Sequence, residues 1–463
     1  MTTNQLLFPL FAAFVLLSCG PKPATDFGGV RPEFAFTHVN VIPMDGERVL
    51  SDQTVVIGGG KILAVGEASA FSLPESTRIV DASGKYLLPG LAEMHAHIPV
   101  PRDGQEDVVD ETLFLYLSNG ITTIRGMLGD PFHLDLRARA AREEVVSPRI
   151  FTSGPSLNGN TVPTVAIADS TVRAQKSAGY DFMKLHPGIK LEVFDKIVST
   201  AKEVGMHYAG HVSIHVGIRH ALESDYASVD HIDGYLEGLV PASAGVKPED
   251  NGFFGFNFTY LADTTLIPEL VNLTVAHNVA VVPTQGLLVR WTSTEKPEQT
   301  IAQPEMKYMS PRTREQWVQS KFSFQRLENY DSARVATFIG IRKKLLKALH
   351  DGGALIVLGS DAPQVFNVPG FSIHHELAAM VEAGLTPYEC LVTGTVNPAR
   401  YFGMEGQFGV VAKGSAADLI LVNNNPLEDI SNLRNPAGVM YRGRWLSEEE
   451  ISAGLAAIAQ KYP

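Results

Sequence analysis

The sequence predicts an α/β protein: a (β/α)₈ TIM barrel with a small β-sandwich domain built from both chain ends. Three observations predict it. Eight short apolar runs alternate with amphipathic helical runs through the middle of the chain, the rhythm of parallel strands joined by crossover helices. Both ends instead carry short β-like runs broken by Gly and Asp turns. Residues capable of chemistry sit where the central runs stop, the end at which barrel sites form.

Composition agrees with a large packed chain. It has 463 residues, 45% hydrophobic and 19% charged, which excludes a disordered, collagen-like or polytopic membrane protein. Lys and Arg total 38 against 50 Asp and Glu, a formal charge of −12. That balance argues against nucleic acid as a partner, and against a membrane except through a lipid anchor. Two cysteines, Cys19 and Cys390, build neither a disulfide scaffold nor a Cys-rich zinc site.

Residues 1–18 read as a lipoprotein signal peptide. The apolar run 6–17 is too short for an ordinary membrane span and suits a signal h-region. Leu16-Leu17-Ser18-Cys19-Gly20 resembles a bacterial lipobox, which makes Cys19 the lipidated residue. Cleavage nearby without lipid is the alternative, and no Lys or Arg occurs in residues 1–5. Residues 19–32 read as a tether. With Gly20 rather than Asp after Cys19, the expected location is the bacterial cell envelope, at the periplasmic side of the outer membrane.

Segments 33–88 and 406–448 are assigned to the composite β-domain. In the first, 36–42, 53–57 and 61–65 are strand-like, separated by Asp45-Gly46 and Gly58-Gly59-Gly60; in the second, 418–422 and 438–445 are. Segment 89–405 is assigned to the barrel, with strands at 91–97, 121–126, 149–154, 181–186, 207–212, 227–232, 279–285 and 354–361. Helices are expected at 134–142, 165–178, 191–204, 266–277 and 336–350, and a C-terminal helix at 449–463. A doubly wound open sheet is the runner-up. It lacks a phosphate-binding fingerprint, because Gly58-Gly59-Gly60 precedes a strand. Segments 233–262 and 287–331 exceed what a connection needs and are expected to overhang the site as loops.

The chemistry begins at Pro89-Gly90-Leu91-Ala92-Glu93-Met94-His95-Ala96-His97. His at i and i+2 of a strand share a face, and neutral imidazoles suit a cation such as Zn²⁺. The other runs end on Lys184, His211, His231 and Asp361. Singly, each is an ordinary structural residue; together at one barrel face they make a site. A cationic Lys fits poorly among metal-binding His unless it is modified or its pKa is depressed.

This constellation resembles the amidohydrolase superfamily, among its carboxylated-lysine, binuclear, prolidase-like and imidazolonepropionase-like members. Ile121-Thr122-Thr123-Ile124-Arg125, Gly414-Ser415-Ala416-Ala417-Asp418 and Asn397-Pro398-Ala399-Arg400 extend the likeness over nearly the whole chain beyond the signal. The resemblance implies a carbamate on Lys184 (N6-carboxylysine, from CO₂) bridging two divalent ions. It implies His95, His97 and Asp361 on the more buried ion and His211 and His231 on the more exposed one. Zn²⁺ is the expected metal, with Mn²⁺ or Co²⁺ as alternatives. Two ions about 3.5–4 Å apart share a hydroxide that attacks a carbonyl, while Asp361 carries the proton to the leaving group.

The expected activity is hydrolysis of amide bonds in a small-molecule or dipeptide substrate, as a dipeptidase or N-acyl-amino-acid hydrolase. A lactonase, an arylesterase or a natural-product amidase would use the same residues. A mononuclear deaminase would leave Lys184 idle, and a non-catalytic ligand-binding lipoprotein would leave Asp361 idle. Homo-oligomers accompany the family resemblance. Candidate substrate contacts are Tyr235 (oxyanion donor or packed aromatic), Asn158 in the 156–160 loop, and Arg125 (carboxylate clamp or structural ion pair). Arg290, Trp291 and Tyr308 are candidates for a lid wall. His186 and His215 are read as supporting residues, and His374 and His375 as no ligands.

Overall fold

The computed structural model describes residues 26–101 and 107–462; Cys19 and the apolar run before it lie outside them. Among the described residues no helix is long and apolar enough to cross a membrane.

Seven parallel strands follow one another through the centre. Leu91–Ala96, Ile121–Gly126 and Arg149–Thr152 form one arc. Phe182–Leu185, His207–Gly210, Ser228–Asp230 and Ala280–Val282 form a second. The arcs meet where Gly154 N donates to Phe182 O and Asp181 N to Thr152 O. On the other side, segment 354–361 bonds to Val281 on one flank and to Met94 and His95 on the other. It is paired only through bridges and is not a regular strand, unlike the strand expected there. Side chains from non-adjacent strands also touch: Arg125 reaches Asp230, and Lys184 reaches His95. Such contacts cross an interior.

Helices cover the outside, for local reasons. Val165–Ala178 starts at Thr164, which accepts from Ile167 N, and stops at Gly179 with φ 86°. Leu191–Val204 buries Val193, Phe194, Ile197 and Ala201, one stripe of a 3.6-residue period, and stops at Gly205 with φ 63°. Both helices run over the residues that periodicity predicts.

The end segments form one eight-stranded sheet, rather than two separately hydrogen-bonded sheets as a sandwich would. Its path runs Arg444–Ser447, Gly438–Tyr441, Leu419–Val422, Tyr86–Pro89, Phe34–Val41, Leu50–Gly58, Lys61–Glu67, and Arg78–Asp81 pairs with Phe34–Val41. Pro89 pairs Leu419 and Tyr86 pairs Val422, so the two chain ends interlock directly before the first barrel strand. Helix Glu448–Lys461 closes on helix Asp107–Ser118 through Lys461, whose ammonium meets Asp107 and Glu111.

The second long connection is largely helical, and the first is a loop broken by short helical turns. Segment 233–262 holds short turns around Tyr235–Gly238 and Phe253–Phe258. Segment 287–331 holds Pro311–Gln325, a 15-residue helix that buries only Trp317, Lys321 and Phe324. The polar face of that helix hides it from a periodicity reading.

Candidate metal centre

The site grows from the ends of the parallel strands. Lys184 leaves Phe182–Leu185 and is fully buried. Its Nζ lies 3.3 Å from His95 Nε2 and 3.7 Å from Asp230 Oδ2. Burial pushes its amine below the ordinary lysine value, with Arg125 adding to the effect. Gly210 makes this placement feasible. A Cβ there would stand 2.4 Å from Leu185 O and 2.8 Å from Lys184 Cδ.

Around Lys184 the imidazoles gather. The rings of His95 and His231 are 4.5 Å apart, as are those of His211 and His231. Asp361 Oδ1 is 2.7 Å from His97 Nε2 and 3.6 Å from His95 Nε2, and Oδ2 is 3.8 Å from His231 Nδ1. The structure thus brings His95, His97, Lys184, His211, His231 and Asp361 to one place. Donor atoms of His95, His231 and Asp361 lie within 4.8 Å of one another.

Burial holds the His95 and His231 rings well below their ordinary pKa and His211 at about 3. The rings are therefore neutral, with lone pairs to offer. Neutral imidazoles and a carboxylate converging on a small buried volume form a donor set that fits a divalent cation. Hydrogen bonds behind two of the rings fix their orientation, Asp233 Oδ2 at 2.9 Å from His211 Nδ1 and Thr284 Oγ1 at 2.9 Å from His231 Nδ1, and Asp230 Oδ2 stands 2.9 Å from His95 Nδ1 as a charged neighbour. The backbone is strained here. His231 (φ 65°), Thr284 (φ 42°) and Asp361 (φ 62°) all occupy the left-handed region that favours glycine.

The expected substrate contacts fare differently. Arg125 is fully buried among the strands, not in a substrate cleft. Its Nε donates to Met94 O, Nη1 to Ser228 Oγ and Tyr401 Oη, and Nη2 to Asp230, so it cannot clamp a carboxylate. Tyr235 is fully buried against Thr274 Oγ1 and reaches no oxyanion. Asn158 turns its Oδ1 to the amides of Asn160 and Thr161, fixing its own loop.

A cleft of about 640 Å³ opens above the cluster; His97, His186, Leu128, Phe254, Trp291 and Asp361 are among its lining residues. Trp291 is the one lid candidate that lines it. Arg290 is buried against Phe366 O and His375, and Tyr308 stacks on Phe371. His186 stacks on His211 at 4.9 Å and contacts Ser156 Oγ. His215 instead faces Glu249 at the surface. His374 and His375 engage Asn119 and Glu305, away from the cluster.

The sequence profile of the amidohydrolase family matches residues 86–446, spanning both the parallel strands and the cluster. The chain belongs to the amidohydrolase family. An adenine deaminase of Bradyrhizobium sp. (strain BTAi1 / ATCC BAA-1182) is 31% identical over 451 residues, 94% of this amidohydrolase and 61% of that protein. An imidazolonepropionase of Idiomarina loihiensis (strain ATCC BAA-735 / DSM 15497 / L2-TR) is 23% identical over 398 residues, 81% of this chain and 87% of that one. The chain spans 26%, 33% and 61% of the lengths of three adenine deaminases it matches. A solved Xaa-Pro dipeptidase with bound methionine in its active site superposes at TM-score 0.64 and 20% identity, over 89% of this chain and 99% of that one; the likeness is one of fold.

Several residues of this amidohydrolase escaped the sequence reading. Asp230 and Asp233 flank His231, yet nothing in the sequence says that Asp233 serves His211 instead. Glu93 stands two residues before His95 and accepts from His95 N, Ser360 N and Ser360 Oγ. Burial pushes its carboxyl up to about 8. Phe254 lies 5.5 Å from the His231 ring and 5.9 Å from His211. The Phe253-Phe254 pair after Gly252 was the available signal.

Proposed function

We propose that this amidohydrolase hydrolyses amide bonds of small-molecule or peptide-like substrates at a two-metal centre built on a carboxylated Lys184. The observation that carries this reading is Lys184 itself. It is fully buried at the floor of four imidazoles and a carboxylate, where burial lowers the amine's hold on its proton. A neutral amine can attack CO₂: a bond forms from Nζ to carbon, a proton leaves, and the side chain gains a carboxylate. That anion suits a site with two cations, and a plain ammonium does not.

His95, His97 and Asp361 would hold the inner ion, His211 and His231 the outer one, and the lysine carboxylate both. Divalent ions there, Zn²⁺ being the expected pair, supply Lewis acidity and a nucleophile at neutral pH. Asp233 and Thr284 keep the His211 and His231 rings oriented, and Asp230 stands beside His95. Asp361 faces both the imidazoles and the cleft. It takes a proton from the attacking water and hands it to the departing amine, which an amide needs more than an ester does.

The test has two parts. Zinc-loaded protein is offered dipeptides, N-acyl amino acids, lactones and aryl esters, with products read by mass spectrometry. Amide turnover is expected, falling about 10²–10⁴-fold in Asp361→Asn. Lys184→Ala is expected to lose bound metal by elemental analysis, with partial recovery in short-chain carboxylates. Two tightly held ions in Lys184→Ala would overturn the bridging assignment. The 31% likeness to an adenine deaminase over 94% of the chain carries a second reading, deamination of an aminopurine. Ammonia release from adenine, with no amide cleaved, would establish it.

A further inference from the structure

We propose that His186 is a catalytic residue whose Nε2–H donates to the scissile carbonyl oxygen as that oxygen gains charge, and that Ser156 positions it. This rests on the amide-hydrolase reading and adds a residue to it. His186 follows Lys184 by two positions, so it emerges on the side of the run that carries Lys184 to the cluster. It lines the cleft and stacks on His211, with ring centroids 4.9 Å apart and 25° between the planes. His211 belongs to the outer half of the cluster, the half that a substrate in the cleft reaches first. The oxyanion role expected of Tyr235, which is withdrawn against Thr274, passes to a group that does face the cleft.

Ser156 Oγ pairs with His186 Nδ1. Donation from the hydroxyl to Nδ1 puts the ring's own proton on Nε2, the nitrogen left to the cleft. The pair is held by backbone on both sides. Leu157 N donates to Lys184 O at 2.9 Å, His186 N to Leu157 O at 2.8 Å, and Gly159 N to Pro187 O. The segments after Arg149–Thr152 and Phe182–Leu185 are thus laced together around Ser156 and His186. Glycine permits this closeness: a Cβ on Gly159 would stand 2.4 Å from Gly188 O. A donor fixed before the substrate arrives needs no reorganisation as charge develops, and a single such donor typically changes kcat by about 10²–10³-fold.

The test uses metal-loaded full-length protein and the amide cleaved fastest in the screen above. The tetrahedral probe is leucyl-phenylalanine with its amide replaced by a phosphinate-methylene link. In His186→Leu, kcat is expected to fall about 10²–10³-fold with KM and metal content little changed. His186→Gln, whose amide still donates, is expected to recover about tenfold of that loss. Ser156→Ala is expected to lower kcat about tenfold at unchanged KM and metal content, and Ser156→Thr, which keeps the hydroxyl, to restore it. Calorimetric affinity for the phosphinate is expected to weaken at least about tenfold in His186→Leu. A fall in kcat of less than about tenfold in His186→Leu, or a loss that tracks lost metal in both His186 variants, overturns the proposal and leaves the hydrolase reading standing. If the parent protein cleaves no amide, the hydrolase reading falls and the calorimetry decides alone. Weaker phosphinate binding in His186→Leu then upholds His186 as an oxyanion donor, and equal binding, or none to either protein, overturns it.

Discussion

Asp230 stands between two buried side chains, Arg125 and Lys184, with His95 as its third neighbour. Burial works against its charge, and Arg125 and Lys184 outweigh that effect, holding the carboxyl below its ordinary value. Arg125 is thus the counterion that keeps Asp230 aimed at His95. Arg125→Met strands the carboxylate, at a cost of about 3–5 kcal/mol. The expected result is a large fall in the thermal midpoint with unchanged discrimination between acid and neutral substrates. A selective loss of acidic substrates at full stability would restore the clamp role. The six cluster residues were legible because each ends a short apolar run. Their supports were not, since their partners lie far away: Thr284 reaches His231 across 53 positions and Arg125 reaches Asp230 across 105. The left-handed residues His231 and Asp361 also break strand alternation at the point where facing must be inferred.

At the scale of elements, the turns that follow the strands are fitted to one another. A Cβ on Gly129 would lie 1.6 Å from Ser153 O, and Gly129 N already bonds Ser153 Oγ. The turns after Ile121–Gly126 and Arg149–Thr152 therefore touch through bare backbone. Gly129→Ala is expected to destabilise by about 2–3 kcal/mol and to raise KM by shifting Leu128 and Asp130 at the cleft; denaturant unfolding and steady-state kinetics read the two effects. Helices with a clear stripe and a glycine stop were readable to the residue. The eighth run was not, because Gly359, Ser360 and the left-handed Asp361 make it a bonded but irregular segment. Pro311–Gln325 escaped because its buried face includes Lys321, whose ammonium binds Arg290 O and Ser293 Oγ. A lysine in a contact stripe reads as surface.

For the whole molecule, acid sensitivity follows from histidines kept neutral. His374, 5% exposed and far from the cluster, is held at about 3 by burial. In the unfolded chain it protonates near its ordinary value. Its folded-state pKa is depressed, so unfolding takes up a proton, and stability falls as pH drops below about 6.5 toward 3. By pH 5 the loss reaches about 2 kcal/mol. His374→Gln is expected to flatten that part of the slope, read as urea midpoints at pH 7 and pH 5. The interlocked sheet has its own consequence, in time rather than in energy. Lys85 Nζ binds Asn423 Oδ1 338 positions along, and Tyr86–Pro89 has no edge partner on that side until Leu419–Val422 exists. At about 5–20 residues per second, a ribosome delivers the later strand roughly 20–70 s after the earlier one. Through that interval an apolar strand edge waits beside the nascent barrel. A stop codon before residue 419 would leave that edge open permanently.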